Sequence, residues 1–437
     1  MNIVYMHTHD TGRYIQPYGY SVPTPRLQAF AEEAILFRQA FNAAPTCSPS
    51  RAALLTGMAP HSAGMLGLVH RGFGLRQPER HLAAYLRRNG YLTALSGVQH
   101  ESSDPQTIGY ELILHSGNSK NKTDGSWDEE NARRAAEFIR SRESGQPFFL
   151  SFGMFSTHRD FPEPDPDINP NYILPPQPLA DTKQNREDMA AFMTSARTAD
   201  RCAGIVLDAI REAGLENNTL IIFTTDHGIA FPRMKCNLYD TGIGVSLIMK
   251  VPGLANSKGR VIDALVSQID LYPTICDLAG IEKPDWLQGI SLLPLLAGET
   301  ERIRDHLFSE VTYHAAYEPM RCIRTERYKY IKLFDDYDGH VPANIDDSPS
   351  KSFLLDSGLL DEKRDREQLY DLYLDPTERV NRVADPAYKA VYEDLAAKLA
   401  DWMKETSDPL LAGKVPLPPG GKANKRTSLS PRSGEFE

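Results

Sequence analysis

Cysteine is scarce in this chain of 437 residues, with five at Cys47, Cys202, Cys236, Cys276 and Cys322. They are odd in number, widely spaced and without the short pairs of a zinc module, so a disulfide scaffold is excluded and a reducing, cytoplasmic setting is expected. No apolar run approaches the roughly 18 residues of a membrane span. Met1 to Met6 lacks a basic region followed by a long apolar stretch, so neither a membrane segment nor a secretory leader is expected. Positive charge is not in excess either: 48 Lys and Arg against 58 Asp and Glu give a formal charge of −10. A nucleic-acid partner is therefore not expected, although a few local cations suffice to hold a small anion. There is no internal repeat, and 30 Gly and 31 Pro spread through a chain that is 41% hydrophobic and 24% charged exclude collagen-like, coiled-coil and disordered classes.

What is present is an alternation. Buried-strand patterns at Ile3 to Met6, Leu92 to Ser96, Phe148 to Phe152, Leu220 to Thr224 and Val245 to Met249 are separated by amphipathic stretches. This predicts a largely parallel sheet with helices on both faces and ligands beyond the carboxyl ends of the strands. Thr24 and Pro25 predict the cap and first position of a helix whose apolar stripe runs Leu27, Phe30, Ala31, Ala34, Phe37. Further helices are predicted at Arg80 to Arg88, Asp128 to Arg140, and Arg186 to Ala213 before Gly214. Past Leu292 to Leu296 the pattern changes to short antiparallel strands at Leu307 to Val311, Met320 to Thr325 and Tyr328 to Leu333, then a helix from about Ala387 to Met403. A catalytic domain over 1–304 and a smaller C-terminal subdomain over 305–437 are predicted, with a loosely held tail from Lys414.

The most specific motif is Cys47-Ser48-Pro49-Ser50-Arg51 followed by Ala52-Ala53-Leu54-Leu55-Thr56-Gly57. An isolated Cys at a helix start is ordinarily a free thiol, but the whole pattern C-x-P-S-R-x-x-x-L-T-G resembles the signature of type I sulfatases. That resemblance implies oxidation of Cys47 to formylglycine by a formylglycine-generating enzyme. A hydrated aldehyde has two hydroxyls: one attacks sulfur and expels the alcohol or amine, and the other loses its proton so that sulfate can leave. Arg51, one helical turn on and never neutral, would hold the diol and neighbouring anions.

Two strand ends carry metal-type pairs. His9-Asp10-Thr11-Gly12 is similar to the family's Asp-Asp-x-Gly with His in first place, and Thr224-Thr225-Asp226-His227-Gly228 is similar to its second ligand pair. The implied set is His9, Asp10, Asp226 and His227 plus an oxygen of the modified residue 47, around one divalent ion. Two imidazoles suit Mn, Fe or Zn better than Ca. His7, two residues before His9 on a strand, is the alternative ligand.

Lys235, in the stretch Gly228 to Tyr239 that resembles the loop of sulfamidases (heparan N-sulfatases), falls where the family places a cation on sulfate. His100, in Ser96-Gly97-Val98-Gln99-His100, matches the family histidine beside the nucleophile, whereas Val98 replaces the usual Lys. His158 resembles the histidine near the leaving atom and is the expected proton donor to it. His314 and His70-Arg71 are expected to shape the substrate pocket. Late in the chain, Leu369 to Glu378 is similar to the family's L-Y-D-L-x-x-D-P-x-E. The resemblance implies an alkaline-phosphatase-like α/β fold and a sulfatase that cleaves a sulfate ester or sulfamate of a sugar or other small organic sulfate. A phosphonate or phosphate ester hydrolase of the same superfamily is the alternative. A non-catalytic binder of sulfated ligands would follow if Cys47 is never oxidised.

Overall fold

The computed structural model describes residues 1–115, 122–142, 145–254 and 257–437. Eight strands form the main sheet: β1 (Asn2–Thr8), β2 (Ile35–Phe41), β3 (Leu92–Gly97), β4 (Leu112–Ile113), β5 (Phe148–Gly153), β6 (Thr219–Thr225), β7 (Leu247–Lys250) and β8 (Arg260–Ser267). Their order is β4-β3-β5-β1-β6-β7-β2-β8. All neighbours are parallel except β7, which runs antiparallel to β6 and β2. The predicted mostly parallel sheet is thus present, with the Val245 to Met249 segment reversed within it.

Every residue of β1 is buried because the strand lies between β5 and β6 and has helices on both faces. Ile3 and Tyr5 pack on one side with Leu54, Leu55, Leu82 and Ile275. Val4 and Met6 pack on the other against Ala132, Ala135, Ala199 and Ala203 of the helices Ser126–Arg140 and Lys183–Glu212. The alternation has the strand period of two, and the small alanines let those helices approach the sheet closely.

The first helix departs from expectation. It ends at Glu32, and Ala34 and Phe37, read as part of its stripe, lie at and beyond the turn into β2. Thr24 does not cap it: Thr24 Oγ1 accepts from Gln16 N, and Asp200 on the long helix accepts from Arg26 N at 3.1 Å and Leu27 N at 2.8 Å.

A second sheet, antiparallel and ordered β12-β11-β10-β9, is built from β9 (His306–Tyr313), β10 (Tyr317–Thr325), β11 (Tyr328–Leu333) and β12 (Glu367–Asp371). The helix Lys389–Glu405 covers one face through Leu395, Leu399 and Met403. The residues after Lys414, expected to be loose, are tied down. Asn424 N donates to Ala315 O at 2.7 Å, Lys422 N donates to Arg71 O at 3.0 Å, and Arg432 pairs with Asp160 at 3.1 Å. No helix among the described residues is long and apolar enough to cross a membrane.

Candidate active site

The central strands β1 and β6 end side by side, and the chain leaving each folds across the other. Asp10 has φ 53°, in the left-handed region, and its N–H donates to Asp226 Oδ1 at 2.8 Å. Thr157 Oγ1 donates to the carbonyls of His9 and Asp10 at 3.0 and 3.1 Å. The glycines that close the two motifs meet here. Gly12 has φ +57°, and a Cβ on it would stand 3.1 Å from Gly228 Cα. Gly12 N donates to His227 O at 2.8 Å. The backbones approach so closely that side chains are confined to the pocket side.

Cys47 opens the helix Cys47–Thr56, all of whose residues are buried and which ends at Gly57 in the left-handed conformation. Ser50 Oγ donates to Asp226 O at 2.6 Å, which pins this helix start to the end of β6. Cys47 Sγ lies 3.4 Å from His227 Nε2. Burial pushes the thiol well above its ordinary pKa, so the unmodified sulfur is a neutral, poor nucleophile. Arg51 is 1% exposed and donates through Nη2 to Asp226 Oδ2 at 2.9 Å and Thr8 O at 3.1 Å. Burial alone would raise the Asp226 carboxyl, but Arg51 and His227 hold it well below the usual range.

Two groups of ligand atoms converge within 4.8 Å: His9, Asp10, Cys47 and His158, and Asp10, Cys47, Asp226 and His227. His227 Nδ1 faces Gly228 O at 2.9 Å and must donate to it, which leaves Nε2 directed at the ligand group, 3.2 Å from Asp10 Oδ1. His9 Nε2 stands 3.3 Å from Asp226 Oδ2, and neither nitrogen of His9 nor Asp10 Oδ1 has a hydrogen-bond partner among the described residues. Burial and the neighbouring Arg51 keep the His9 ring neutral. Unpaired buried acceptors of mixed N and O type around one point are what a divalent cation satisfies, so the donor set fits such an ion.

His100 and His158 flank His9, each with its ring centre 4.8 Å away. Lys235, 4% exposed, donates to Asp10 Oδ2 at 2.8 Å and pairs with Asp346 Oδ2 at 2.9 Å. Burial disfavours its charge, but Asp10 and Asp346 more than offset that and keep the ammonium charged. His314 is buried, and both Lys235 and Asp346 act on its charge, which places it on the same side. His70 likewise senses His158 and Lys235. Arg71 is turned away, with its guanidinium donating to Ala315 O, Asn424 Oδ1 and Pro431 O. His7 also points away from the ligand group, toward Arg51. Val98 is buried and apolar, so no cation stands at that position.

Several contributors carried no sequence signal. Asp346 lies in a polar stretch without a motif and reaches Lys235 only through the fold. Asp128 accepts from Phe155 N at 2.7 Å and Ser156 N at 2.8 Å, which anchors the loop bearing His158. Arg159 forms a two-pronged pair with Asp188 at 2.7 and 2.8 Å beside it.

The sulfatase family model matches residues 1–281, and the model described as N-sulphoglucosamine sulphohydrolase, C-terminal, matches 227–351. The chain is 31% identical to N-sulphoglucosamine sulphohydrolase of Homo sapiens over 89% of this chain and 87% of that protein. It is 27% identical to an ulvan-active sulfatase of Formosa agariphila, over 93% of this chain and 75% of the relative. Among solved structures it is similar to the phosphonate monoester hydrolase of Agrobacterium radiobacter, with TM-score 0.74, 21% identity, and 96% and 98% of the two chains covered. The fold is that of the alkaline-phosphatase-like sulfatases. With the sulfatase model spanning the ends of β1 and β6 and the Cys47 helix, and the relative at 31% identity spanning most of both chains, this chain belongs to the sulfatase family and is a sulfuric ester hydrolase.

Proposed function

We propose that this protein is a formylglycine-dependent, metal-assisted sulfatase acting on a sulfated sugar, with the N-sulfate of an amino sugar as the foremost candidate bond. The observation that carries the reading is the convergence of Cys47 Sγ, His227 Nε2 and Asp10 Oδ1, at 3.4 and 3.2 Å, where the signature helix meets both strand-end pairs. The relative at 31% identity is named for N-sulphoglucosamine, which supports the substrate.

In this reading residues 1–304 are the catalytic unit and 305–437 contribute His314 and Asp346 to its rim. His9, Asp10, Asp226 and His227 would hold one divalent ion. That ion and an aldehyde at residue 47 would supply a diol acidic enough to attack sulfur and then release sulfate. Lys235, kept charged by Asp10 and Asp346, holds sulfate oxygens. His158, whose Nδ1 donates to Arg159 O, would give the Nε2 proton of its doubly protonated ring to the departing nitrogen or oxygen and keep the Nδ1 proton on that carbonyl. His100 takes a proton on the nucleophile side, and His314 contacts the substrate beyond Lys235. Maturation requires a formylglycine-generating enzyme. Five cysteines, none paired, support a reducing compartment such as the cytoplasm.

Val98 supports a second reading, a phosphonate or phosphate ester hydrolase, because a site with one fewer cation is less committed to sulfate. Parallel assays on N-sulfoglucosamine, an aryl sulfate and an aryl phosphate diester decide between them. Turnover of the sulfur substrates at least ~10-fold above the phosphodiester is expected. Preference for the phosphodiester would favour the second reading, and binding without turnover of any would leave a sulfate binder. The chelated enzyme is expected to recover with Mn, Fe or Zn better than with Ca, and full recovery with Ca alone would remove the histidines from the ligand set.

A further inference from the structure

His7 is an ionisable residue beneath the candidate site that the reading above leaves without a task. It is the penultimate residue of β1, 2% exposed, with its ring stacked on Tyr5 at 4.7 Å between centres. Its place is shaped by Gly153 on β5, where a Cβ would come within 2.5 Å of His7 Cε1 and 1.9 Å of Val98 O. One ring nitrogen, Nδ1, meets Arg51 Nη1, and the other, Nε2, lies 3.4 Å from Ser151 Oγ. An arginine can only donate, so Nδ1 must accept and the ring proton sits on Nε2, facing the serine.

Arg51 is thereby held along two edges. Nη2 is taken by Thr8 O and Asp226 Oδ2, and Nη1 by His7, while Nε has no hydrogen-bond partner among the described residues. Asp226 in turn accepts on Oδ1 from the N–H groups of Asp10 and His227 at 2.8 and 2.9 Å, so its free direction faces the ligand group. We propose that His7 is a positioning residue, which by accepting from Arg51 Nη1 fixes the guanidinium that orients Asp226 beside residue 47. The proposal rests on the reading of Asp226 as a metal ligand. Without His7, Nη1 would be a buried donor with no acceptor, and the guanidinium would turn to find one, taking the carboxylate with it.

Three variants test this: His7→Leu, His7→Asn and His7→Gln. Asn places an acceptor oxygen two bonds beyond Cβ, where Nδ1 is, whereas Gln reaches the Nε2 position. Each is checked for melting temperature and for the mass of residue 47, so that kcat compares equally matured protein. For His7→Leu and His7→Gln, kcat is expected to fall and the Mn2+ dissociation constant to rise, each by about 10- to 100-fold, with KM within about threefold of the parent. His7→Asn is expected to recover most of both. Parent-like kcat and Mn2+ affinity in folded His7→Leu would overturn the proposal, as would an Asn variant no better than Gln. If the parent itself turns over no sulfate substrate, the functional reading fails, and the Mn2+ affinity series still decides the role of His7.

Discussion

Two buried clusters in this molecule contain the same residue types, histidine among carboxylates beside an arginine. One joins His9, Asp10, Asp226 and His227 to Arg51 at the ends of β1 and β6. The other joins His61, Glu310 and Asp408 to Arg321, and its three ligand-type residues also lie within 4.8 Å of one another. In the second cluster every carboxylate oxygen is engaged. Glu310 accepts from His61 N at 2.8 Å and faces His61 Nδ1 at 2.5 Å, while Asp408 accepts from Leu410 N and from Arg321 Nε and Nη2. Arg321 pairs with both carboxylates, its Nε 3.5 Å from Glu310 Oε2 and 2.5 Å from Asp408 Oδ2. In the first cluster, Asp10 Oδ1 and both nitrogens of His9 have no hydrogen-bond partner among the described residues, and His227 Nε2 faces an acceptor. Composition does not separate the proposed metal centre from a structural tie; the satisfaction of the carboxylate oxygens does, since His61 Nε2 in the second cluster also has no hydrogen-bond partner among the described residues.

The largest effect expected to sharpen this contrast is in the first cluster. Cys47→Ala should lower turnover by at least ~10³-fold with the melting temperature little changed, because in the proposed mechanism the side chain reacts and does not hold the core together. Activity surviving with an unstable fold would reverse the assignment. Arg321→Met should do the opposite, with about 3–5 kcal/mol of stability lost in chemical denaturation and kcat per folded molecule near the parent value. A catalytic defect in a stable Arg321→Met protein would break the comparison.

Within the first cluster, His158→Ala should slow an unactivated sugar sulfate by ~10²-fold and a nitrophenyl sulfate far less, since a phenolate leaves without a proton. Equal losses on both would make His158 a sulfate binder only.

The smallest effect is a pH dependence. Burial pushes the Glu101 carboxyl up to about 6, although Arg51 opposes the shift. The native state thus holds this proton more tightly than the unfolded chain does. The resulting stability is fully present below the ordinary carboxyl range and is lost as pH rises through about 6, by roughly 2 kcal/mol. Glu101→Gln should remove that slope from unfolding free energies measured between these limits, and an unchanged slope would assign it to another group.

The parts legible in the sequence are those fixed by local pattern. The apolar run of β1, the signature helix and the two strand-end pairs could be read because each is a contiguous motif at a strand or helix end, even though Asp226 and Thr157 from afar hold the turn after β1. Tertiary structure overrode the rest. Ala34 and Phe37 continue a helical stripe by spacing, yet Ile35–Phe41 pairs with β7 and β8 as a strand. Asp200, far along the chain, took the capping role expected of Thr24. His7 and His9 share a face only if the strand continues, but it stops at Thr8 and the backbone turns left-handed at Asp10, so the period of two no longer relates them. Asp346 acts through one contact made across the fold, and no local pattern marks it.

The most direct test of the account is peptide mass analysis of residue 47 in a preparation whose sulfatase turnover is measured in parallel. An aldehyde or its hydrate at residue 47, in proportion to activity across preparations, is the predicted result. An intact Cys47 thiol in fully active enzyme would contradict it.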